Sequence, residues 1–504
     1  MASILTTSLV VLYFLVILAI GAWASKKVKN SEDYIVAGRS LGFWFFVILI
    51  ISSATSGMSI LGVAGLGYTA GWPSIWEQIF VPLTTAICIL FYGTKLHKIS
   101  EKMGYMTVQD YFANRFYSPR LMRALSGLAV VVTSGIYLVG QYTAISIVLV
   151  WLFGITHTEA LLIAGIIVLL YVVLGGLYAV AWVNLIQGVF IIAGVLIVSP
   201  FVINAAGGFT HINTVLASID PNMVNLAYPQ AHPPYAGYAF MTPLYLVSFF
   251  FLLAIGLGSA PHIINNVLAV KKDKYFKFAP FAAFGIYVVI MYLIKIVGFG
   301  ARVMVVDGVM TVPYADYSFV AAVNHSLPTF IWPLFAVIVL SAVMSTTDRL
   351  MLTIGSSVSW DIYKNLINPK AKDKTIMNLS RAVVVIAAVF TLYMAITPPQ
   401  LLALLIWMGI GIMLSTFVMP LLAGLYWKRA TREGAIASMA VGFSTSIAFG
   451  FVHQFIMKLP MHFSMYSFVL AVITMVVVSL VTKNPPEKVL KETLTGPFIQ
   501  TKKR

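Results

Sequence analysis

Long apolar runs separated by short polar stretches follow one another along almost the whole chain. We count about thirteen, at 4–24, 43–70, 74–94, 121–152, 159–176, 178–205, 239–269, 278–304, 329–360, 377–396, 401–426, 433–455 and 463–482. Many are near the roughly 20 residues that a helix needs to cross a bilayer. They are too long and too continuously apolar to be the alternating strands of a membrane barrel. The pattern predicts an all-α integral membrane protein with about 13 transmembrane helices, numbered below as spans one to thirteen.

The runs leave no room for a separate soluble domain. We predict a single polytopic domain over 1–482 and a short, poorly ordered tail over 483–504. The first run has the length of a signal peptide, but no basic residues precede it and further spans follow. We therefore interpret it as a retained helix.

Lysine and arginine collect in alternate loops, after spans one, three, seven, nine and eleven. They are Lys26, Lys27, Lys29, Arg39, Lys98, Lys102, Arg115, Arg120, Arg123, Lys271, Lys272, Lys274, Lys277, Lys364, Lys370, Lys372, Lys374, Lys428, Arg429 and Arg432. The longest intervening loop, 206–238, contains neither residue type. Because basic loops stay on the cytoplasmic side, we predict an outside N-terminus and a cytoplasmic C-terminus in the cell membrane.

Composition agrees with a chain embedded in lipid. Hydrophobic residues make up 60% and charged residues 10%, against about 25% charged in soluble domains. The net charge of +16 would also fit a nucleic-acid partner, but its placement in cytoplasmic loops favours the bilayer alone. Cys88 is the only cysteine, so the chain has no disulfide framework. We find no phosphate-binding glycine loop with lysine, no HExxH and no nucleophile elbow, so we predict neither an enzyme nor an ATP-driven pump.

Span nine carries an unusual polar stretch, LSAVMSTTDRLML, at 340–352. Ala342, Ser345, Thr346 and Arg349 share one helical face by their spacing. The hydroxyls could serve helix packing, and Asp348 with Arg349 could snorkel into the cytoplasmic headgroups. The alternative is that these side chains form a functional site.

Span two favours that alternative, because ISSATSGMSILGVAGLGY at 51–68 is rich in glycine and hydroxyl groups. These residues are typical of an interrupted helix, whose freed carbonyls are tolerated only where they line a cavity or bind something. Span seven is interrupted by Gly256, Gly258 and Pro261. Two broken helices at corresponding positions indicate an inverted repeat of five plus five helices, about 43–205 and 239–426.

Ionisable residues at membrane depth are candidates for a solute site. Lys295 lies in the outer half of span eight and would either snorkel outward or provide a counter-charge for an anionic solute. Glu77 is either a lining residue or a solvated helix end. His262 follows the break in span seven and would either pack between helices or contact the solute.

Five segments together resemble the sodium:solute symporter family. They are AGRSLG at 37–42, TVQDYFANRF at 107–116, GGLYAVAWVNLIQG at 175–188, APHII at 260–264 and AVMST at 342–346. The similarity runs from about residue 33 to residue 430. It implies a leucine-transporter-type fold with an extra leading helix, and Na⁺ as the co-transported ion.

The resemblance also implies the positions of the ligands. Na⁺ would lie between spans two and nine, held by the carbonyls of Ser52, Thr55 and Ala342 and the hydroxyls of Ser345 and Thr346. Where Ser52 and Thr55 stand, the family usually has alanine and a bulky apolar residue, a difference that backbone donors tolerate. The solute-binding candidates are Ser56, Gly57, Ser59, Glu77, Gly258, His262 and Lys295.

Asn184 departs from the family pattern, which commonly has an acid there, near the exit path of sodium. The asparagine either substitutes neutrally or changes the coupling, with Asp348 supplying the missing carboxylate. In the second case Asn184, Asp348 and Arg349 line the ion-release path.

We therefore predict a secondary active transporter that couples Na⁺ to a small organic solute, such as pantothenate, a monocarboxylate or proline. No obligate protein partner is implied. Alternatives are a proton-coupled symporter of the same fold, or a solute sensor or channel derived from it. The missing signalling domain disfavours a sensor, and the broken helices disfavour a channel.

Overall fold

The computed structural model describes residues 4–229, 241–328, 331–397 and 402–494, and these residues fold almost entirely into helices. The first half contains α1 (Ile4–Ser25), α2 (Ser31–Val36), α3 (Phe43–Ala54), α4 (Val63–Ala70), α5 (Glu77–Ile87), α6 (Thr94–Met103), α7 (Val108–Arg115), α8 (Leu121–Phe153), α9 (His157–Ala205) and α10 (Gly208–Ile219). The second contains α11 (Pro243–Phe250), α12 (Pro261–Leu268), α13 (Ala279–Val306), α14 (Ser318–Ser326), α15 (Trp332–Ser356), α16 (Asp373–Ala395), α17 (Leu402–Tyr426), α18 (Arg432–Phe451), α19 (Phe463–Val481) and α20 (Glu487–Thr493).

Ten helices among the described residues are long and apolar enough to cross a membrane, and two bent pairs raise the number to twelve. The remaining predicted span, 159–176, falls on the first part of α9, where the apolar stretch His157–Leu170 is shorter. The two parts of α9 meet at Gly176, whose φ of 52° and ψ of −149° suit only glycine. A thirteenth crossing therefore stays a prediction.

The two bent pairs lie in spans two and seven. Phe43–Ala54 and Met58–Ala70 meet at 68°, and Pro243–Ser259 and Pro261–Leu268 meet at 43°. Thr55 is extended, with ψ of 107°, and so is Ala260, with ψ of 130°. Pro261 explains the second break, because proline disfavours the helical conformation in the residue before it and lacks a backbone N–H.

Helix α15 occupies the centre of the protein. It packs against α8, α9, α3 and α16, and its membrane-length segment is buried throughout. The leading helix α1 packs on α9 and α15, and its Tyr13 hydroxyl accepts hydrogen bonds from Gln187 at 3.0 Å and Ser341 at 2.9 Å. The polar stretch of span nine therefore lies among other helices.

Hydrogen bonds join the two broken spans at the ends next to their basic loops. Leu41 donates its N–H to Ala269 O at 3.0 Å and accepts from Lys271 N at 3.0 Å. Arg39 adds a bond to Leu268 O at 3.4 Å. At the end of the chain, α20 packs on α7, so the prediction of a poorly ordered tail was wrong for Glu487–Thr493. Residues 495–504 lie outside the described part.

Candidate ion and solute site

Two hydroxyls of α15 face the break in span two. Ser345 Oγ lies 3.1 Å from Ser52 O and 2.9 Å from Ala342 O. Thr346 Oγ1 lies 2.7 Å from Thr55 O and 3.2 Å from Ser52 O. All five residues are fully buried. The structure thus brings together the five oxygens that were expected to bind sodium.

The break explains why these carbonyls are available. Thr55 leaves the helical conformation, so the amides that follow turn to other acceptors. Ser56 N donates to Ser59 Oγ at 3.1 Å, and Gly57 N donates to Gln141 Oε1 at 2.9 Å. The carbonyls of Ser52 and Thr55 therefore accept hydrogen bonds from the Ser345 and Thr346 hydroxyls. When a cation binds, these hydroxyls could rotate so that their lone pairs face it. Three carbonyls and two hydroxyls form an uncharged oxygen set of the kind that hard cations prefer.

The second half of span two carries the predicted solute contacts. Ser59 Oγ lies 3.4 Å from the Tyr287 hydroxyl, which donates to Ala54 O at 2.8 Å. Gly57 faces Ala144, and a Cβ added to it would lie 2.2 Å from the Ala144 side chain. Glycine is therefore required by packing at this position, and Ser56 and Ser59 are the polar side chains beside it.

Gln141 on α8 was missed by the sequence reasoning. Its Oε1 accepts from Gly57 N at the start of the second half-helix of span two, and its buried Nε2 has no hydrogen-bond partner in the described structure. The sequence did contain an indication of its role, because a single side-chain amide in an apolar run is energetically costly without a hydrogen-bond partner. Only the fold shows that this partner is the broken helix.

The second break places His262 beside α8. Its ring packs edge-on against Tyr137, with 5.6 Å between the ring centroids. Neither ring nitrogen finds a hydrogen-bond partner among the described residues, although the side chain is fully buried. Gly258 packs against α5, since a Cβ added to it would lie 3.3 Å from Thr84 O. His262 therefore combines helix packing with two unused polar atoms.

Lys295 and Glu77 form an ion pair with each other. Lys295 Nζ lies 3.1 Å from Glu77 Oε2, and both side chains are fully buried. Lys295 therefore does not snorkel outward, and Glu77 is not a solvated helix end. The role of Lys295 as a counter-charge for an anionic solute stays a prediction, with Glu77 on α5 as the anion that already faces it.

The charges of the opening polar stretch are buried as well. Asp348 and Arg349 are at most 1% exposed, so the snorkelling interpretation was wrong. Asn184 Nδ2 donates to Asp348 Oδ1 at 3.5 Å, which puts these two at the same depth as expected. Arg349 donates to His262 O at 3.1 Å, so it links α15 to the first turn of α12.

Comparison with known proteins decides the family. The model of the sodium:solute symporter family matches residues 34–442. The chain belongs to this family. Membership implies co-transport of Na⁺ with a solute, so the predicted family, transport class and co-transported ion are confirmed.

Symporters of this family with known solutes align over most of the chain. The osmoregulated proline transporter OpuE of Bacillus subtilis is 26% identical over 494 residues, covering 94% of both chains. The sodium/pantothenate symporter of Escherichia coli is 24% identical over 446 residues, covering 86% of this chain and 88% of that protein.

Solved structures agree on the fold. A Na⁺-coupled sialic acid symporter in a substrate-bound, outward-open state aligns with a TM-score of 0.79 at 17% identity, over 96% of this chain and 98% of that one. The nucleobase-cation symporter Mhp1 aligns with a TM-score of 0.52 at 16% identity, over 91% and 97%. These likenesses place the chain among leucine-transporter-like folds.

Proposed function

We propose that this symporter carries proline, or another small solute with a carboxylate, into the cell together with Na⁺, and that it performs no catalysis. The observation that carries the proposal is the oxygen cluster of Ser345, Thr346 and the freed carbonyls of span two. An ion held there would stabilise the bent form of span two, on which the solute contacts depend. Occupation of one site would thereby favour occupation of the other.

The energy available per ion is large enough for accumulation. Moving one charge inward through 100 mV releases about 2.3 kcal/mol. Since about 1.4 kcal/mol is a factor of ten, one Na⁺ per solute supports roughly fiftyfold accumulation from the potential alone. The Na⁺ concentration gradient adds to this.

The solute carboxylate would be bound by backbone dipoles instead of a lysine. The outer half of span two begins at Gly57, and because the Gly57 N–H already donates to Gln141, the carboxylate would interact with the positive end of the half-helix dipole and not with this N–H. Half-helix N-termini of this kind attract anionic groups in transporters. Lys295 is neutralised by Glu77, so no lysine charge is needed to explain recognition. A zwitterion such as proline fits this arrangement, and several relatives are proline symporters.

Uptake by the purified protein in proteoliposomes tests the function. We expect labelled proline to accumulate under an inward Na⁺ gradient and not under an equal K⁺ gradient. Pantothenate and lactate at excess should compete less strongly than unlabelled proline. Uptake that follows a proton gradient without Na⁺ would overturn the coupling, and stronger competition by pantothenate would overturn the choice of solute.

The topology remains part of the proposal. We place thirteen spans in the cell membrane, with the N-terminus outside, the C-terminus in the cytoplasm and no obligate protein partner. The basic loops support the orientation. The two bent pairs, at 68° and 43°, support repeats over about 43–205 and 239–426 as parts of one domain over 1–482.

Asp348 is proposed to receive Na⁺ as it leaves towards the cytoplasm. Its carboxylate lies 3.5 Å from the Asn184 amide and on the helix turn after Ser345 and Thr346. We expect Asp348→Asn to slow inward release of Na⁺, with less effect on its affinity from outside. Adding Asn184→Asp should recover the rate, because it returns a carboxylate to the same place.

Na⁺-driven uptake and Na⁺ efflux from loaded vesicles, measured in the single and double variants, test this path. If the role of Asp348 is purely structural, Asp348→Asn should lose transport and the double variant should not recover it. Normal transport in Asp348→Asn would equally contradict the proposed path.

A further inference from the structure

A second group of potential ligands lies away from the oxygen cluster, where the membrane helix that includes α6 meets the loop after α12. His97 and Glu101 stand one turn apart on α6, and Asp273 begins the short 3₁₀ helix Asp273–Lys277. One ligand atom from each lies within 4.8 Å of the others. None of these residues takes part in the proposed transport site.

The orientation of the histidine ring is fixed by the backbone. His97 Nδ1 lies 3.1 Å from Val267 O. Because a carbonyl only accepts hydrogen bonds, Nδ1 must carry a proton. Phe276 covers the ring, with 5.2 Å between the centroids, and the His97 side chain is fully buried. The other nitrogen, Nε2, is thereby aimed at the two carboxylates.

Nε2 faces two acceptors without forming a hydrogen bond to either. It lies 3.2 Å from Asp273 Oδ1 and 3.5 Å from Glu101 Oε1. Both Nε2 and Asp273 Oδ1 are buried polar atoms without a hydrogen-bond partner in the described structure. In the neutral ring three electron-rich atoms would face one another, and a cation between them would replace their mutual repulsion by attraction.

We propose that His97, Glu101 and Asp273 bind a divalent transition-metal ion such as Zn²⁺. One imidazole and two carboxylates are ligands that Zn²⁺ accepts, and three protein ligands leave a position for water. A ligating histidine usually donates its second ring N–H to a carbonyl or carboxylate, as His97 does to Val267. The carboxylate side chains are 51% and 42% exposed, so an ion can enter from solvent.

The charges around the site are compatible with a bound cation. Arg39 is a further cation acting on the His97 ring, but its guanidinium is paired with Glu32 at 2.8 Å. Two carboxylates therefore face the site against one already neutralised arginine. The bound ion would link α6 to the loop between the second broken span and α13, and so restrain that loop.

Zn²⁺ binding to the purified, tag-free transporter tests the site. Competition with a chromophoric chelator should give one Zn²⁺ per chain. His97→Gln and Glu101→Gln should each weaken binding at least about tenfold, by analogy with the loss of ligand support at other metal sites. Glu101 is half exposed, so its variant serves if the buried His97 variant fails to fold.

His211→Gln is the matched control, because His211 and Asp307 form a partly exposed pair at 2.9 Å with no third ligand among the described residues. It should leave Zn²⁺ binding unchanged. Zn²⁺ should raise the apparent Tm of the wild type and of His211→Gln but not of Glu101→Gln. No saturable binding, or equal binding by wild type and Glu101→Gln, would overturn the site. None of these outcomes depends on which solute is carried.

Discussion

Replacing Ser345 by alanine and Thr346 by valine together is expected to raise the Na⁺ concentration for half-maximal uptake by about 100-fold or more. Each change removes one hydroxyl from the oxygen cluster, whose distances run from 2.7 Å for Thr346 to Thr55 O to 3.5 Å for Ser345 to Thr55 O. A hydrogen-bonding group that contacts a charge contributes roughly 1.5–3 kcal/mol to binding. Losing two such groups should therefore weaken Na⁺ binding at least about 100-fold. Uptake measured over a range of Na⁺ concentrations gives the value.

Thr347→Val is the matched control. The Thr347 hydroxyl donates within its own helix, to Val343 O at 2.8 Å, and is equally buried. It should leave the Na⁺ dependence near that of the wild type. An unchanged Na⁺ dependence in the Ser345 and Thr346 double variant would mean that these hydroxyls serve packing alone.

Removing one member of the Lys295–Glu77 pair should have the largest effect on stability. Glu77→Gln and Lys295→Met each leave an uncompensated charge in a fully buried place, with an expected loss of about 3–5 kcal/mol. Replacing both together should restore most of the stability, because a neutral, well-packed pair avoids the cost of desolvating two charges. The apparent Tm of the purified protein in detergent separates the three variants.

The same variants decide what Lys295 does for transport. If the pair is structural, the double variant should bind solute normally. If Lys295 contacts the solute, the double variant should be stable but unable to bind solute. Glu487→Gln is the control for a pair of the same type, since Glu487 and Lys491 lie 3.5 Å apart with side chains 87% and 65% exposed. It should change the Tm little. A double variant as unstable as the single ones would contradict the buried-pair argument.

The sequence was most informative where a polar group is costly in lipid. The breaks at Thr55 and Ala260 could be located because glycine, hydroxyl-bearing residues and proline interrupt otherwise apolar helices. Unsatisfied backbone groups at membrane depth are tolerated only in a site, so the interruptions also pointed to Ser345 and Thr346 on span nine.

The sequence could not decide which charges meet. Lys295 and Glu77 are separated by 218 positions, and each taken alone fitted either an exposed end or a solute contact. The guanidinium of Arg349 donates to His262 O on another broken helix, 87 positions away, a contact that the polar stretch of span nine did not indicate. Adjacent positions on a helix point in different directions, so sequence proximity was a poor guide to pairing.

The sequence by itself determined the membrane class, the family, the helix breaks and the face of span nine that carries the hydroxyls. The family rested on the resemblance of five segments. The other features follow from local rules, namely the length of apolar runs, the costs of polar groups in lipid and the helical period. The tertiary structure alone decided that Gln141 satisfies Gly57, that Lys295 pairs with Glu77, and that His97 faces Glu101 and Asp273. Those contacts join distant elements, and their geometry depends on how whole helices pack, which no local pattern contains.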